Sequence, residues 1–124
     1  MVALVSRLAL LLLFSGLQVR SVRAEPGRRY TPEGFQFPLS TSSFIYHLPT
    51  KGLGARIILG TWIAETVEGV KADQVIDQAE IRPGELPAVY FSLGRGKNPW
   101  PPGLYRLEIR ADGRLLRTER FVLR

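Results

Sequence analysis

Apolar and polar residues alternate most regularly near the C-terminus. Over 104–110, Tyr105, Leu107 and Ile109 fall on one face, and Arg106, Glu108 and Arg110 on the other. A period of two predicts a strand with one buried face. Asp112 and Gly113 follow, and 115–123 forms a second run. Both central residues of a type I′ turn need positive φ. Gly tolerates this fully and Asp better than most residues, so the pair predicts a hairpin. In the return strand Phe121 and Leu123 share a face. Carrying that face backwards buries Glu119 and Arg117, whereas the opposite register buries Leu116. One extra residue switches the face, so the pattern predicts a bulge or twist near 117–119. Before the hairpin, Pro99, Pro101 and Pro102 stiffen the chain, and Gly103 releases it into the strand.

Shorter runs upstream follow the same rule. The segment 44–48 places Phe44, Tyr46 and Leu48 opposite Ile45 and His47. The segment 88–93 turns Val89, Phe91 and Leu93 to one side. Between them, 55–65 is apolar on both faces, with Ile57, Leu59 and Ile63 opposing Ile58, Trp62 and Ala64. Such a strand sits centrally, or has its second face covered by another part of the chain. Residues 74–81 are ambiguous. Val75, Ala79 and Ile81 suit a strand, Ile76 and Asp77 break the alternation, and 71–81 also fits a short helix; a strand is chosen. Phe35, Gln36 and Phe37 alternate ahead of Pro38 and start the fold against the sandwich. Pro- and Gly-rich loops separate the runs, and no internal repeat is present. The expected fold class is all-β, an antiparallel sandwich of about seven strands.

The run Trp100-Pro-Pro-Gly-x-Tyr-Arg-Leu-x-Ile-x-x-Asp-Gly113, closed by Phe121-Val-Leu123, resembles the last two strands of secreted bacterial immunoglobulin-like domains. The strand bearing Trp62 and the Tyr-Phe-Ser-Leu strand at 90–93 extend the resemblance over most of 35–124. It implies an immunoglobulin-like sandwich and no catalytic residues, because such domains share a scaffold rather than an active site.

The N-terminus changes the picture of location. Arg7 precedes an apolar run over 8–17, and Val22-Arg23-Ala24 has the small-residue pattern of a cleavage site. Residues 1–24 therefore read as a signal peptide, removed on export. The apolar run falls short of the roughly 20 residues that span a bilayer, so no stable membrane span is expected after cleavage. The chain of 124 residues has no Cys, which excludes disulfides and lipid attachment at an N-terminal Cys. The expected organisation is a flexible, Pro- and Gly-rich arm over 25–34 and one domain over 35–124, periplasmic or secreted.

Charge is unevenly placed. Removal of Arg7, Arg20 and Arg23 lowers the formal net charge from +6 to +3. Residues 25–94 carry six Lys and Arg against eight Asp and Glu, and 95–124 carry eight against three. A basic last third suits an acidic partner; it also suits Arg side chains that blunt an edge strand against aggregation.

The chemistry of catalysis is missing from the pattern. His47 is the single His, and without Cys it has no usual partners for a metal site. No Gly-x-Ser-x-Gly elbow occurs, and the carboxylate pairs Glu65/Glu68 and Asp77/Glu80 flank a turn or sit on the ambiguous run. Gly94-Arg-Gly-Lys97 lacks the Gly and the Ser or Thr of a phosphate-binding loop, since Phe91 and Asn98 stand there. No catalytic residue, metal ligand, cofactor or nucleic-acid partner is expected.

One candidate remains. The loop 94–102 combines Arg95, Lys97, Asn98 and Trp100, and loops on a rigid scaffold commonly carry binding. Trp100 is either an exposed anchor or a cap folded over the end of the core. The expectation is a non-enzymatic exported module of the bacterial envelope that binds a protein or envelope component, acidic in character, through loops beside the closing hairpin. Two other readings are a small protease inhibitor presenting the rigid Pro-rich loop and a carbohydrate-binding module using Trp62, Tyr90 and Trp100.

Overall fold

The structure, a computed structural model, describes residues 29–124, and these form eight strands and no helix. The signal peptide expected over 1–24 lies outside the described residues. The strands are β1 (Arg29–Thr31), β2 (Gly34–Phe37), β3 (Ser43–Pro49), β4 (Ile58–Val67), β5 (Gln74–Ile81), β6 (Ala88–Gly94), β7 (Gly103–Ala111) and β8 (Arg114–Leu123). Six of them make one sheet in the order β1-β2-β8-β7-β4-β5, and β3 and β6 make a second. All pairs are antiparallel except β2 with β8, which run parallel.

The two sheets pack face to face because each has one uninterrupted apolar side. Phe44, Tyr46 and Leu48 of β3 and Val89, Phe91 and Leu93 of β6 are buried against Trp62, Tyr105, Leu107, Ile109 and Phe121 of the larger sheet. The sheets approach closely at Gly60. A Cβ there would lie 2.4 Å from the Phe91 ring, so only a hydrogen fits. Burying a side chain such as Leu107 or Phe91 stabilises the fold by about 1.5–3 kcal/mol each.

The closing hairpin forms as its sequence predicts. Asp112 and Gly113 have φ of 50° and 85°, the positive values of the tight turn. The expected bulge is present and adjoins 117–119. Ile109 faces Arg117 and Arg110 faces Leu115, so Leu116 is the extra residue. Beyond it the face continues unbroken through Arg117, Glu119 and Phe121. Glu119 therefore lies on the core side opposite Leu107, where the Tyr46 hydroxyl donates to its carboxylate at 3.2 Å. A long polar side chain is tolerated there because β3 and β6 cover only part of the larger sheet.

The run at 74–81 is a strand. A register shift between Trp62 and Ile63 leaves Ile76 as its extra residue, which is why the alternation breaks there. The bulge turns Asp77 inward beside Trp62, and it is buried. Strand β4 is central, flanked by β5 and β7, as its two apolar faces require. The first described strand begins at Arg29, ahead of Phe35, and residues 25–28 of the expected arm lie outside the described residues. Where a flexible arm is expected over 25–34, β1 and the start of β2 form a hairpin, and β2 lays Phe35 and Phe37 beside Phe121 and Leu123.

Candidate functional site

The alternating strand directions place three connections at one end of the sandwich: 38–42 before β3, 68–73 after β4 and 95–102 before β7. All four candidate residues lie here. The loop divides into two parts of opposite character. Residues 95–99 are all exposed, including Arg95, Lys97 and Asn98, whereas Trp100 is buried at 9% exposure.

Trp100 is a cap. Its ring packs on Phe44 at 5.4 Å and edge-on to Tyr105 at 6.1 Å. Its indole Nε1 donates to the Thr41 carbonyl at 2.7 Å, which satisfies the one polar group that burial would otherwise strand. The exposed-anchor alternative needs apolar area free for a partner, and this side chain has already committed it to the core. Phe121 stacks on Tyr105 at 5.5 Å and lies 4.7 Å from Phe44, while Phe37 meets Phe44 at 5.1 Å. These rings form one aromatic cluster beneath the loop.

The backbone around the exposed stretch is tied at both sides. Arg95 N donates to Ser42 O at 2.9 Å, extending the β3–β6 ladder past its last strand residue. Glu68 N donates to Pro102 O at 3.0 Å. The Tyr105 hydroxyl donates to Pro101 O at 2.5 Å, and burial pushes its pKa up to about 12. Gly103, at φ 150°, passes so close to β4 that a Cβ would lie 2.4 Å from Thr66 O. Residues 95–99 thus project from a root whose ends are held by hydrogen bonds and by a buried indole. Such a loop loses little entropy when it binds.

The basic excess of the last third does not gather at this loop. Much of it lies on the outer face of the larger sheet. Arg106 bonds Asp73 at 2.8 Å, Glu108 at 2.8 Å and Glu65 at 3.1 Å, and Arg120 bonds Glu65 at 3.1 Å. The hydrogen bond that Arg106 donates to Asp73, with those it donates to Glu108 and Glu65, raises its pKa, so the guanidinium stays charged. Glu65 reaches both arginines because β4 bulges there, between Ala64 and Thr66. Sequence spacing could not reveal this network, since its members come from four separate elements. Arg95 and Lys97 take no part in these pairs and remain exposed.

The aromatic residues do not form an exposed row. Trp62 is 1% exposed and Trp100 is buried, which leaves only Tyr90, half-buried and 4.8 Å from the His47 ring. His47 sits on the outer face of the smaller sheet, where burial lowers its pKa. Among the described residues, no group of three or more His, Asp or Glu is placed to hold a metal ion. Comparison with protein-family models, with curated proteins and with solved structures gives no match to this chain.

Proposed function

We propose that the chain is an exported, non-enzymatic binding module of the bacterial envelope, built on an immunoglobulin-like sandwich. Its partner is a protein or envelope component of acidic character, contacted by Arg95, Lys97 and Asn98. The observation that carries this reading is the division of one loop into an exposed tip over 95–99 and a root anchored by Trp100 and Tyr105. A preorganised tip with two cations outside the ion-pair network is suited to recognition of an anionic surface. The order of the larger sheet, with β2 added in parallel to the last strand, supports the immunoglobulin-like reading. The pattern of residues 1–24 supports export. The same rigid tip also favours protease inhibition, in which 95–99 would enter the protease cleft.

The test uses the chain from Glu25 as bait on envelope extract, beside Arg95→Ala/Lys97→Ala. The wild type should retain a partner at 50 mM salt and lose much of it at 500 mM, because exposed charges are screened within about 10 Å at 0.1 M salt. The double variant should weaken capture by roughly tenfold, about 1.4 kcal/mol. Equal capture by both proteins would remove the tip from the binding surface. Stoichiometric inhibition of a protease, lost in the same variant, would decide for the second reading.

A further inference from the structure

We infer that the free edge of β3 pairs with the β3 edge of a second copy of this chain, joining the two small sheets into one of four strands. The register of β3 with β6 fixes which backbone groups face outward. Arg95 N bonds Ser42 O and Thr50 N bonds Pro87 O, and both pairs belong to the same ladder as Phe44 with Leu93, Tyr46 with Phe91 and Leu48 with Val89. In an antiparallel pair, hydrogen-bonded positions alternate. The N–H and C=O groups of Phe44, Tyr46 and Leu48 therefore point to β6. Those of Ser43, Ile45 and His47 point away from it, along an edge that pairs with no other described strand.

This edge lacks the devices that keep other edges apart. It contains no Lys, Arg, Asp or Glu, and its register runs from Ser43 to Pro49 without a shift. Proteins usually guard such an edge with charge, a bulge or proline. Here the only proline, Pro49, closes the last position. On the larger sheet, the edge strand β5 carries Glu80 and a bulge at Ile76, and the part of β8 not covered by β2 carries Arg114, Arg117 and Arg120. The opposite edge of the small sheet, on β6, is approached by β5. A two-stranded sheet is also the weakest form of sheet, and addition of strands strengthens it.

The edge is self-complementary. A two-fold axis at Ile45 sets Ile45 opposite the partner's Ile45, and Ser43 opposite the partner's His47, so every outward pair exchanges two hydrogen bonds. A shift of this centre by one residue leaves outward groups unmatched or sets them against Pro49. No charge meets another in the matched register. The loop tips at 95–99 stay outside the contact, so the dimer would present two of them.

Sedimentation across a concentration series of the chain from Glu25 should show a monomer passing to a dimer. Amide exchange on the same samples should show Ser43, Ile45 and His47 protected only at high concentration, with Phe44, Tyr46 and Leu48 protected throughout. Ile45→Lys sets two ammonium groups opposite each other and should raise the dimer dissociation constant by roughly tenfold or more. Ser43→Lys, at the strand's half-exposed start, provides the same test should the first variant fold poorly. A monomer at every concentration up to ~1 mM would overturn the inference. So would a dimer whose affinity neither variant changes, or one that leaves the three outward amides unprotected.

Discussion

The two ends of the sandwich are closed by different chemistry. At one end the buried Trp100 ties 95–102 to the connection before β3, through ring packing and one hydrogen bond to Thr41 O. At the other, the exposed carboxylate of Asp112 ties the β7–β8 turn to the chain entering β4. It accepts from Arg56 N at 3.1 Å and from Ile57 N at 3.0 Å, and Asp112 N donates to Ile57 O. The first closure removes a large apolar surface from water and leaves no polar group unmet. The second works in solvent, where water competes for every bond. At the Trp100 end the buried anchor lies directly beneath the exposed stretch 95–99. A buried anchor holds the root in place, and the side chains of 95–99 stay exposed while the Arg95 backbone remains tied to Ser42 O.

Three measurements bear on this contrast. The largest effect is expected from Trp100→Ala, which should destabilise the fold by about 3–5 kcal/mol in a urea melt, through lost packing and the cavity left behind. A loss below ~0.5 kcal/mol would mean that the ring does not hold the root, and the contrast would fail. Asp112→Gly keeps the positive φ of the turn and removes only the carboxylate. It should cost about 1 kcal/mol, because the freed amides can turn to water. A loss as large as that of Trp100→Ala would put the two ends on an equal footing.

The smallest effect separates the ends by pH. His47 lies on β3 towards the Asp112 end, and burial lowers its pKa below the usual 6.5. The unfolded chain then takes up the proton first as the solution is acidified. The His47 contribution to stability is whole above 6.5, falls as pH drops through 6.5 towards the folded value, and is constant below that. Urea melts between pH 7.5 and 5 should show this decline, and His47→Gln should flatten it. An unchanged slope in the variant would place the responsible group elsewhere.

Much of the architecture was legible along the chain. The strict alternation at Tyr105, Leu107 and Ile109, the Asp112-Gly113 turn and the two apolar faces of 55–65 each have a local cause. The side-chain period of a strand and the φ preference of a residue act over a few positions, so they can be read from a few positions. The same reasoning located the candidate loop and posed the two possible fates of Trp100.

What the chain in isolation could not settle depends on residues far apart in sequence. Whether Trp100 faces water or core turns on Phe44, Tyr105 and the Thr41 carbonyl, of which Phe44 and Thr41 arrive from another strand and loop. The bulge lies at Leu116 because the partner strand sets the register, and partial cover by β3 makes room for Glu119 on the core side. Arg106 meets Glu65 and Asp73 only once β4, β7 and the turn before β5 are in place. Local sequence sets which face of a strand is apolar. Burial is a sum over neighbours, and those neighbours are chosen by how the sheets pack.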